Sequence, residues 1–221
     1  MNKLVLFDFD GTLADTAPDL GAAANVLRSR RGLTELPLES YREYASHGAR
    51  GLLKRGLDMT PEHPEYEAAR EEFLTEYEQG MTERTTLFPG IKELLTGLQD
   101  NGYTWGIVTN KVEYLAVPLI VHLGLYRHCA VTVGGDTTPH PKPHPAPLLH
   151  AAEKTGFATE DAIYIGDDQR DIVAGRAAGM ATVVAAYGYC GMSTALKSWD
   201  ATAIAERPDQ LWELIDGWAR G

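Results

Sequence analysis

The chain has 221 residues, of which 44% are hydrophobic and 23% are charged, and its formal net charge at pH 7 is −11. Such a composition is ordinary for a globular protein with an apolar core, and the length fits one core domain with a smaller inserted domain. The acidic balance argues against nucleic acid or an anionic membrane surface as a partner, because no basic excess is present to neutralise phosphates.

The cysteine count and the amino-terminal residues indicate a compartment. Cys129 and Cys190 are too few for a disulfide framework, so we expect reduced thiols. The first strand follows Met1-Asn2-Lys3 directly, which leaves no room for a signal peptide, and no apolar run approaches membrane-spanning length. We therefore expect a soluble, cytoplasmic protein with no membrane partner.

The first predicted element is a short strand that ends in two carboxylates. Leu4-Val5-Leu6-Phe7 is a continuous apolar run, as in a strand buried on both faces, and Asp8 and Asp10 follow it. Residues two apart on a continuing strand point the same way. Two like charges held together raise each other's pKa unless a cation lies between them, and Mg²⁺ prefers such oxygen ligands. The alternative is an ordinary turn, for which Asp and Gly are common residues.

The segment Phe7-Asp8-Phe9-Asp10-Gly11-Thr12-Leu13 resembles the first signature of the haloacid dehalogenase-like phosphatases. The resemblance implies that Asp8 is a nucleophile that forms an aspartyl-phosphate. It also implies that Asp10 is a general acid and base, which protonates the leaving group and then accepts a proton from water.

From Asp15 to Met81 the pattern is helical, with no strand-like alternation. A helical block inserted after the first strand is the organisation of the helical-cap members of the family. The resemblance therefore implies a core domain of residues 1–14 and 86–221 and a helical cap of residues 15–85, with hinges near 13–15 and 85–89. The helices predicted in the cap start near Asp15 and span Leu38–Ala45, Ala49–Leu57 and Glu65–Glu78, the last with a buried stripe of Tyr66, Phe73 and Tyr77.

After Pro89 helices and strands alternate. This order predicts right-handed crossovers and a parallel sheet, and thus an α/β fold with a Rossmann-like core. The predicted elements are helices over residues 91–98, 117–123, 148–156, 170–178 and 211–218, and strands over residues 103–108, 130–133, 162–165 and 182–184.

Polar side chains follow three of the predicted strands. Asp8 and Asp10 follow the first, Thr109-Asn110 the second, and Asp167-Asp168 the fourth. Ligands bind outside the carboxyl ends of the strands in such sheets, so these polar residues are predicted to share one site.

The later motifs resemble those of the same family. Thr109-Asn110 is similar to its Ser/Thr motif, and we expect both residues to bind the substrate, with a hydroxyl on a phosphate oxygen. Lys142, between Pro141 and Pro143, is similar to its Lys-Pro motif. A fixed cation there would offset the repulsion between an anionic nucleophile and an anionic phosphate.

The segment Gly166-Asp167-Asp168-Gln169-Arg170-Asp171 completes the resemblance. It implies that Mg²⁺ is held by Asp8, by the backbone carbonyl of Asp10 and by Asp167. Asp171 would orient Lys142 or a water on the metal. Asp168 stands where the family often has Ser, and it receives no role.

Arg50 is the candidate that would recognise the rest of the substrate. It lies in His47-Gly48-Ala49-Arg50-Gly51, which looks like the cap loop that faces the site, and its guanidinium suits a substrate carboxylate or phosphate. The alternative is an ordinary exposed arginine at the start of a helix.

The narrower resemblance is to phosphoglycolate phosphatases and to N-acetylmuramic acid 6-phosphate phosphatases. It is carried by Thr16-Ala17-Pro18-Asp19, by residues 105–111 and by Tyr187-Gly188-Tyr189. It implies an Mg²⁺-dependent phosphomonoesterase acting on a small phosphorylated metabolite, with 2-phosphoglycolate favoured. A sugar-phosphate phosphatase, a β-phosphoglucomutase-like mutase and a non-catalytic binding module are the alternatives. A metal-free dehalogenase is disfavoured by Asp10 and Asp167, and a monomer and a homodimer both remain open.

Overall fold

The computed structural model describes residues 3–190 and 196–221, so Met1 and Asn2 lie outside the described part. The chain divides into two units. One runs through Ala14 and resumes at Leu87, and the other is Asp15–Thr86. The chain passes between the units within the two segments that the sequence predicts as hinges, where motion remains a prediction.

A six-stranded sheet lies at the centre of the first unit, and each strand pairs in parallel with its neighbours in the order β5-β4-β1-β6-β7-β8. The predicted α/β fold is therefore confirmed. A separate two-stranded sheet joins β2 to β3. The strands are β1 (Leu4–Phe7), β2 (Ala14–Asp15), β3 (Thr86–Leu87), β4 (Thr104–Val108), β5 (Thr132–Val133), β6 (Ala162–Gly166), β7 (Ala181–Ala185) and β8 (Ala203–Ala205).

The central strand of the sheet is the apolar run that ends in carboxylates. All four residues of β1 are fully buried, because β4 and β6 flank it and helices cover parallel sheets on both faces. Phe7 is in register with Ile107 of β4 and Ile165 of β6. The residues that follow β1, β4 and β6 are therefore brought to one edge of the sheet.

The helices of the first unit differ from the predicted ones mainly at their ends. Helix α5 (Glu113–His122) begins four residues before the predicted start at Val117. At its first residue, the backbone N–H of Glu113 donates to Asp136 Oδ1 at 2.8 Å. Strand β8 was not predicted, because Ala-Ile-Ala is too short to show a period. These helices are α4 (Ile91–Asp100), α5 (Glu113–His122), α6 (Ala146–Thr155), α7 (Gln169–Ala177) and α8 (Leu211–Arg220).

The second unit is helical, as predicted. Its helices are α1 (Ala17–Arg30), α2 (Gly48–Leu57) and α3 (Tyr66–Gly80), and Leu38–His47 forms 3₁₀-helix where the sequence indicated only a helix. The predicted stripe on α3 is buried, since Tyr66, Phe73 and Tyr77 are no more than 5% exposed.

A buried carboxylate joins the two ends of this helical unit. Asp19 on α1 accepts hydrogen bonds from the backbone N–H groups of Arg84 and Thr85 and from the Thr85 hydroxyl, at 2.8 to 3.1 Å. Its side chain is 1% exposed. These bonds hold the last residues of the unit against its first helix.

Two further expectations concern the cysteines and the membrane. Cys129 and Cys190 are unpaired thiols, as expected. Across residues 3–190 and 196–221, none of the helices combines the length and the apolar character that crossing a bilayer requires.

Candidate active site

The carboxyl edge of the sheet brings Asp8 and Lys142 together. Lys142 Nζ lies 3.0 Å from Asp8 Oδ1, and the side chains are 2% and 12% exposed. The backbone N–H of Phe9 donates to the same Asp8 oxygen at 2.7 Å. Among the described residues, Oδ2 of Asp8 accepts no hydrogen bond. One oxygen of this carboxylate is therefore held by Lys142 and by the backbone.

Lys142 is held by a network that reaches far beyond its own loop. Its ammonium lies 2.7 Å from Asp171 Oδ1, and it donates to Tyr164 Oη at 2.6 Å and to the Val108 carbonyl at 3.0 Å. The pKa of Lys142 is raised, since Asp171 and Asp8 together outweigh the opposing effect of burial. Lys142 therefore carries a fixed positive charge beside Asp8.

Asn110 is the residue whose geometry departs most from its predicted use. Its amide donates to the Lys142 carbonyl at 2.9 Å and accepts from the Lys142 backbone N–H at 3.0 Å. Both ends of the amide thus hold the loop that carries Lys142. This geometry favours a positioning role for Asn110 over the predicted contact with substrate.

Asp171 and Asp168 work as a pair at the start of α7. Asp171 Oδ1 accepts from Lys142, which fits one of the two roles that the sequence left open for it, and Oδ2 accepts from the Asp168 backbone N–H at 3.0 Å. Asp168, to which the sequence assigned no role, caps α7 by accepting from the Arg170 backbone N–H at 2.8 Å. It also pairs with the Arg170 guanidinium, at 2.8 Å from Nε.

Thr109 and Asp10 lie beside a lysine that sequence reasoning missed. Asp10 Oδ1 is 2.8 Å from Lys111 Nζ, with side-chain exposures of 15% and 8%. Thr109 is 2% exposed, and its hydroxyl accepts from the Lys111 backbone N–H at 3.1 Å. Lys111 follows Thr109-Asn110 directly, so its position after β4 was the signal that could have identified it.

Three carboxylates at this edge form a group that could hold a cation. Oxygens of Asp8, Asp167 and Asp171 all lie within 4.8 Å of one another. Asp167 is fully buried; one oxygen accepts from the Thr12 hydroxyl at 3.2 Å, and the other accepts from the Tyr189 backbone N–H at 2.7 Å. Asp8 and Asp167 belong to the predicted metal set, and Asp171 stands close by.

The electrostatics of this group fit a hard divalent cation. Burial raises the pKa of Asp8 to about 7 against the opposing effect of Lys142, and Asp171 and Asp10 add to the rise. Burial also raises the pKa of Asp167 well above its usual value, and Asp8 and Asp171 add to that rise. A divalent cation would offset both effects, because it favours the ionised carboxylates and binds oxygen donors.

Arg50 lies in the other unit, in the first turn of α2, and its side chain is exposed. Its predicted contact with a substrate therefore remains a prediction. Tyr164 is a further residue that sequence reasoning did not single out, although a phenol within the otherwise apolar run of β6 was a visible signal.

Comparisons with known proteins agree along nearly the whole chain. Residues 5–185 match the family model described as haloacid dehalogenase-like hydrolase. A phosphoglycolate phosphatase of Xanthomonas campestris is 45% identical, over 96% of this chain and 95% of that protein. An N-acetylmuramic acid 6-phosphate phosphatase of Pseudomonas aeruginosa is 37% identical, over 97% and 95%. The crystal structure of a predicted phosphoglycolate phosphatase from Haemophilus somnus is 28% identical and has a TM-score of 0.84, over 96% and 97%.

Proposed function

Because the chain belongs to the haloacid dehalogenase-like hydrolases, we propose that it is an Mg²⁺-dependent phosphomonoesterase whose preferred substrate is 2-phosphoglycolate. The observation that carries the proposal is the buried contact between Asp8 and Lys142 beside Asp167 and Asp171. The similarity to phosphatases named for phosphoglycolate supports the substrate. The unpaired thiols support a cytoplasmic location.

In the first step Asp8 attacks phosphorus. The oxygen of Asp8 that accepts no hydrogen bond from the described residues forms the new P–O bond, while Phe9 N and Lys142 hold the other oxygen. The ester P–O bond breaks, and the leaving oxygen takes a proton from Asp10. General acid catalysis of this kind contributes about 10²- to 10⁴-fold. The products are the alcohol and an aspartyl-phosphate on Asp8.

The second step restores the carboxylate. Water attacks the phosphorus of the aspartyl-phosphate, Asp10 accepts a proton from it, and the bond between phosphorus and Asp8 breaks to release phosphate. The Thr109 hydroxyl would hold a phosphate oxygen in both steps, and Lys142 would offset the negative charge that gathers around phosphorus.

Asp8, Asp167 and the backbone carbonyl of Asp10 are the proposed holders of Mg²⁺. The close group of buried carboxylates supports a cation there. When bound, the ion neutralises phosphate charge and orients the phosphoryl group for in-line attack. Arg50 remains the proposed contact for the carboxylate of the substrate.

The test is a comparison of substrates on the purified protein. Phosphate release would be measured from 2-phosphoglycolate, N-acetylmuramic acid 6-phosphate and p-nitrophenyl phosphate, and β-glucose 1-phosphate would be assayed for isomerisation. We expect the highest kcat/KM for 2-phosphoglycolate, and reversible loss of activity with EDTA. A higher kcat/KM for N-acetylmuramic acid 6-phosphate would make that compound, and not 2-phosphoglycolate, the preferred substrate. Isomerisation of β-glucose 1-phosphate without phosphate release would indicate a mutase. Inactivity on all of these compounds would indicate a binding module.

Asp8→Asn tests the nucleophile. This variant should fold normally and lose turnover by about 10⁴-fold or more, since the loss of a nucleophile removes the covalent route. Asp100→Asn, an exposed site at the end of α4, is the matched control and should keep full activity. Acid quenching during turnover should trap phosphate on Asp8, and a label on any other residue would contradict the scheme.

A further inference from the structure

The loop after β7 contacts the carboxylate edge through one backbone N–H group and one tyrosine hydroxyl. Tyr189 N donates to Asp167 Oδ2 at 2.7 Å, and Tyr187 Oη donates to the Thr12 carbonyl at 2.9 Å. We propose that Tyr187-Gly188-Tyr189 is a positioning element that fixes Asp167 for its divalent cation and thereby sets the affinity for that cation. The inference rests on the proposed function, because it assumes the cation site described there.

Donors from two different loops reach Asp167. The Thr12 hydroxyl, after β1, reaches Oδ1, and the Tyr189 backbone N–H reaches Oδ2. Because the second donor belongs to the backbone, its direction follows the path of the loop and not a side-chain rotamer. The orientation of the carboxylate therefore depends on where residues 187–189 run.

Gly188 lets this loop approach closely. A Cβ at Gly188 would lie 2.2 Å from the Gly11 carbonyl oxygen and 2.5 Å from Asp167 Cβ. Gly188 does not have a left-handed φ, so the glycine is needed for space and not for its conformation. Any side chain here has to push the loop away from Asp167, because the first atom in its way belongs to a backbone.

The two tyrosines anchor the loop on either side of the glycine. The ring of Tyr187 makes an edge contact with Phe88, with centroids 5.3 Å apart. Burial raises the pKa of Tyr187, which favours the protonated hydroxyl that donates to the Thr12 carbonyl. Tyr189 is 3% exposed. The donor to Asp167 is thus held by contacts on both sides.

Groups that orient a metal ligand affect the affinity for the metal. Loss of such a partner typically costs about 10- to 100-fold in affinity or activity. We therefore expect Gly188→Ala to weaken Mg²⁺ binding within that range. Tyr187→Phe keeps the ring and removes the hydroxyl that donates to Thr12, and we expect a smaller, several-fold loss.

The experiment measures Mg²⁺ binding directly by isothermal titration calorimetry, and again by the rise in Tm that saturating Mg²⁺ produces. Gly217→Ala is the matched control, because an added Cβ there meets nothing within 4 Å. It should bind Mg²⁺ like the wild type. Activity lost in Gly188→Ala should return at higher Mg²⁺ concentration, which a general loss of folded protein would not allow.

Unchanged Mg²⁺ affinity in a folded Gly188→Ala variant overturns the inference. Should that variant fail to fold, Tyr187→Phe decides, and wild-type affinity in it overturns the inference equally. If the wild type binds Mg²⁺ and releases phosphate and both variants bind Mg²⁺ with wild-type affinity, only the inference about the loop is refuted. If the wild type neither binds Mg²⁺ nor releases phosphate, the proposed function is refuted as well.

Discussion

An ion pair at the carboxyl edge of the core sheet and an ion pair on the helical unit differ sharply in burial. At the carboxyl edge of the core sheet, the side chains of Lys142 and Asp171 pair at 2.7 Å with 2% and 1% exposure. On the helical unit, Arg30 pairs with Glu72 and Glu76 at similar distances, but its side chain is 51% exposed. Burying charges costs several kcal/mol per ion, whereas exposed pairs contribute little. The difference indicates that the edge is arranged for chemistry, and the helical surface for contact with water.

The largest effect is expected from removing the buried cation. Lys142→Met keeps most of the side-chain volume but leaves Asp8 and Asp171 without their shared partner. We expect kcat to fall about 10³-fold and the free energy of unfolding to fall by about 3 kcal/mol. Kinetics and chemical denaturation measure both quantities. Lys92→Met, on the exposed face of α4, should change neither, and a fully active Lys142→Met variant would contradict the comparison.

The second-largest loss of activity is expected from changing Thr109, an uncharged residue at the same edge of the sheet. Thr109→Val keeps the shape of the buried side chain and removes the hydroxyl proposed to hold a phosphate oxygen. We expect kcat/KM to fall about 10- to 100-fold, which is the value of one hydrogen bond to a charged group. Thr96→Val, on an exposed turn of α4, is the control. Unchanged steady-state kinetics in Thr109→Val would exclude a phosphate contact.

Asp19 separates the effect of burying a charge from the effect of belonging to the proposed cation site, because it is a buried charge in the helical unit. Its carboxylate accepts hydrogen bonds from Arg84 and Thr85 in its own unit and belongs to no carboxylate cluster that the described residues form. Asp19→Ala should lower the free energy of unfolding by about 2 kcal/mol, because backbone donors lose their partner. Calorimetric titration should give wild-type Mg²⁺ affinity. A weakened affinity would show that buried charge serves the same purpose in both units.

The smallest effect is expected at the exposed pairs. Arg30→Met removes the contacts to Glu72 and Glu76, which water and salt already screen. We expect no change in Tm beyond the scatter of the measurement, at low or high salt. A drop in Tm of several degrees would contradict the comparison, because exposed ion pairs would then contribute to stability as much as buried ones.

Sequence patterns predicted the fold well because they act locally. The strand before Asp8 is recognisable from its continuous apolar run, and the helices and strands after Pro89 from the spacing of their apolar residues. The convergence of Asp8, Thr109 and Asp167 followed from one further rule, that parallel strands place their carboxyl ends at one edge.

The parts that were not predicted depend on contacts between distant residues. Asn110 holds the backbone of Lys142, 32 residues away, and Tyr189 holds Asp167, 22 residues away. Neither contact can be recognised from a periodic pattern or a fixed spacing in the sequence. The start of α5 was misplaced for the same reason, since Asp136 lies 23 residues from the N–H group of Glu113.

The entry and exit of the helical unit lie side by side. The backbone N–H of Phe88 donates to the Leu13 carbonyl at 3.0 Å, so the chain leaves the sheet and returns to it at adjacent backbone positions. Residues Asp15–Thr86 are thus inserted between two neighbouring backbone positions of the first unit. We therefore expect that a different insertion grafted at this junction would leave the strand order of the core sheet unchanged.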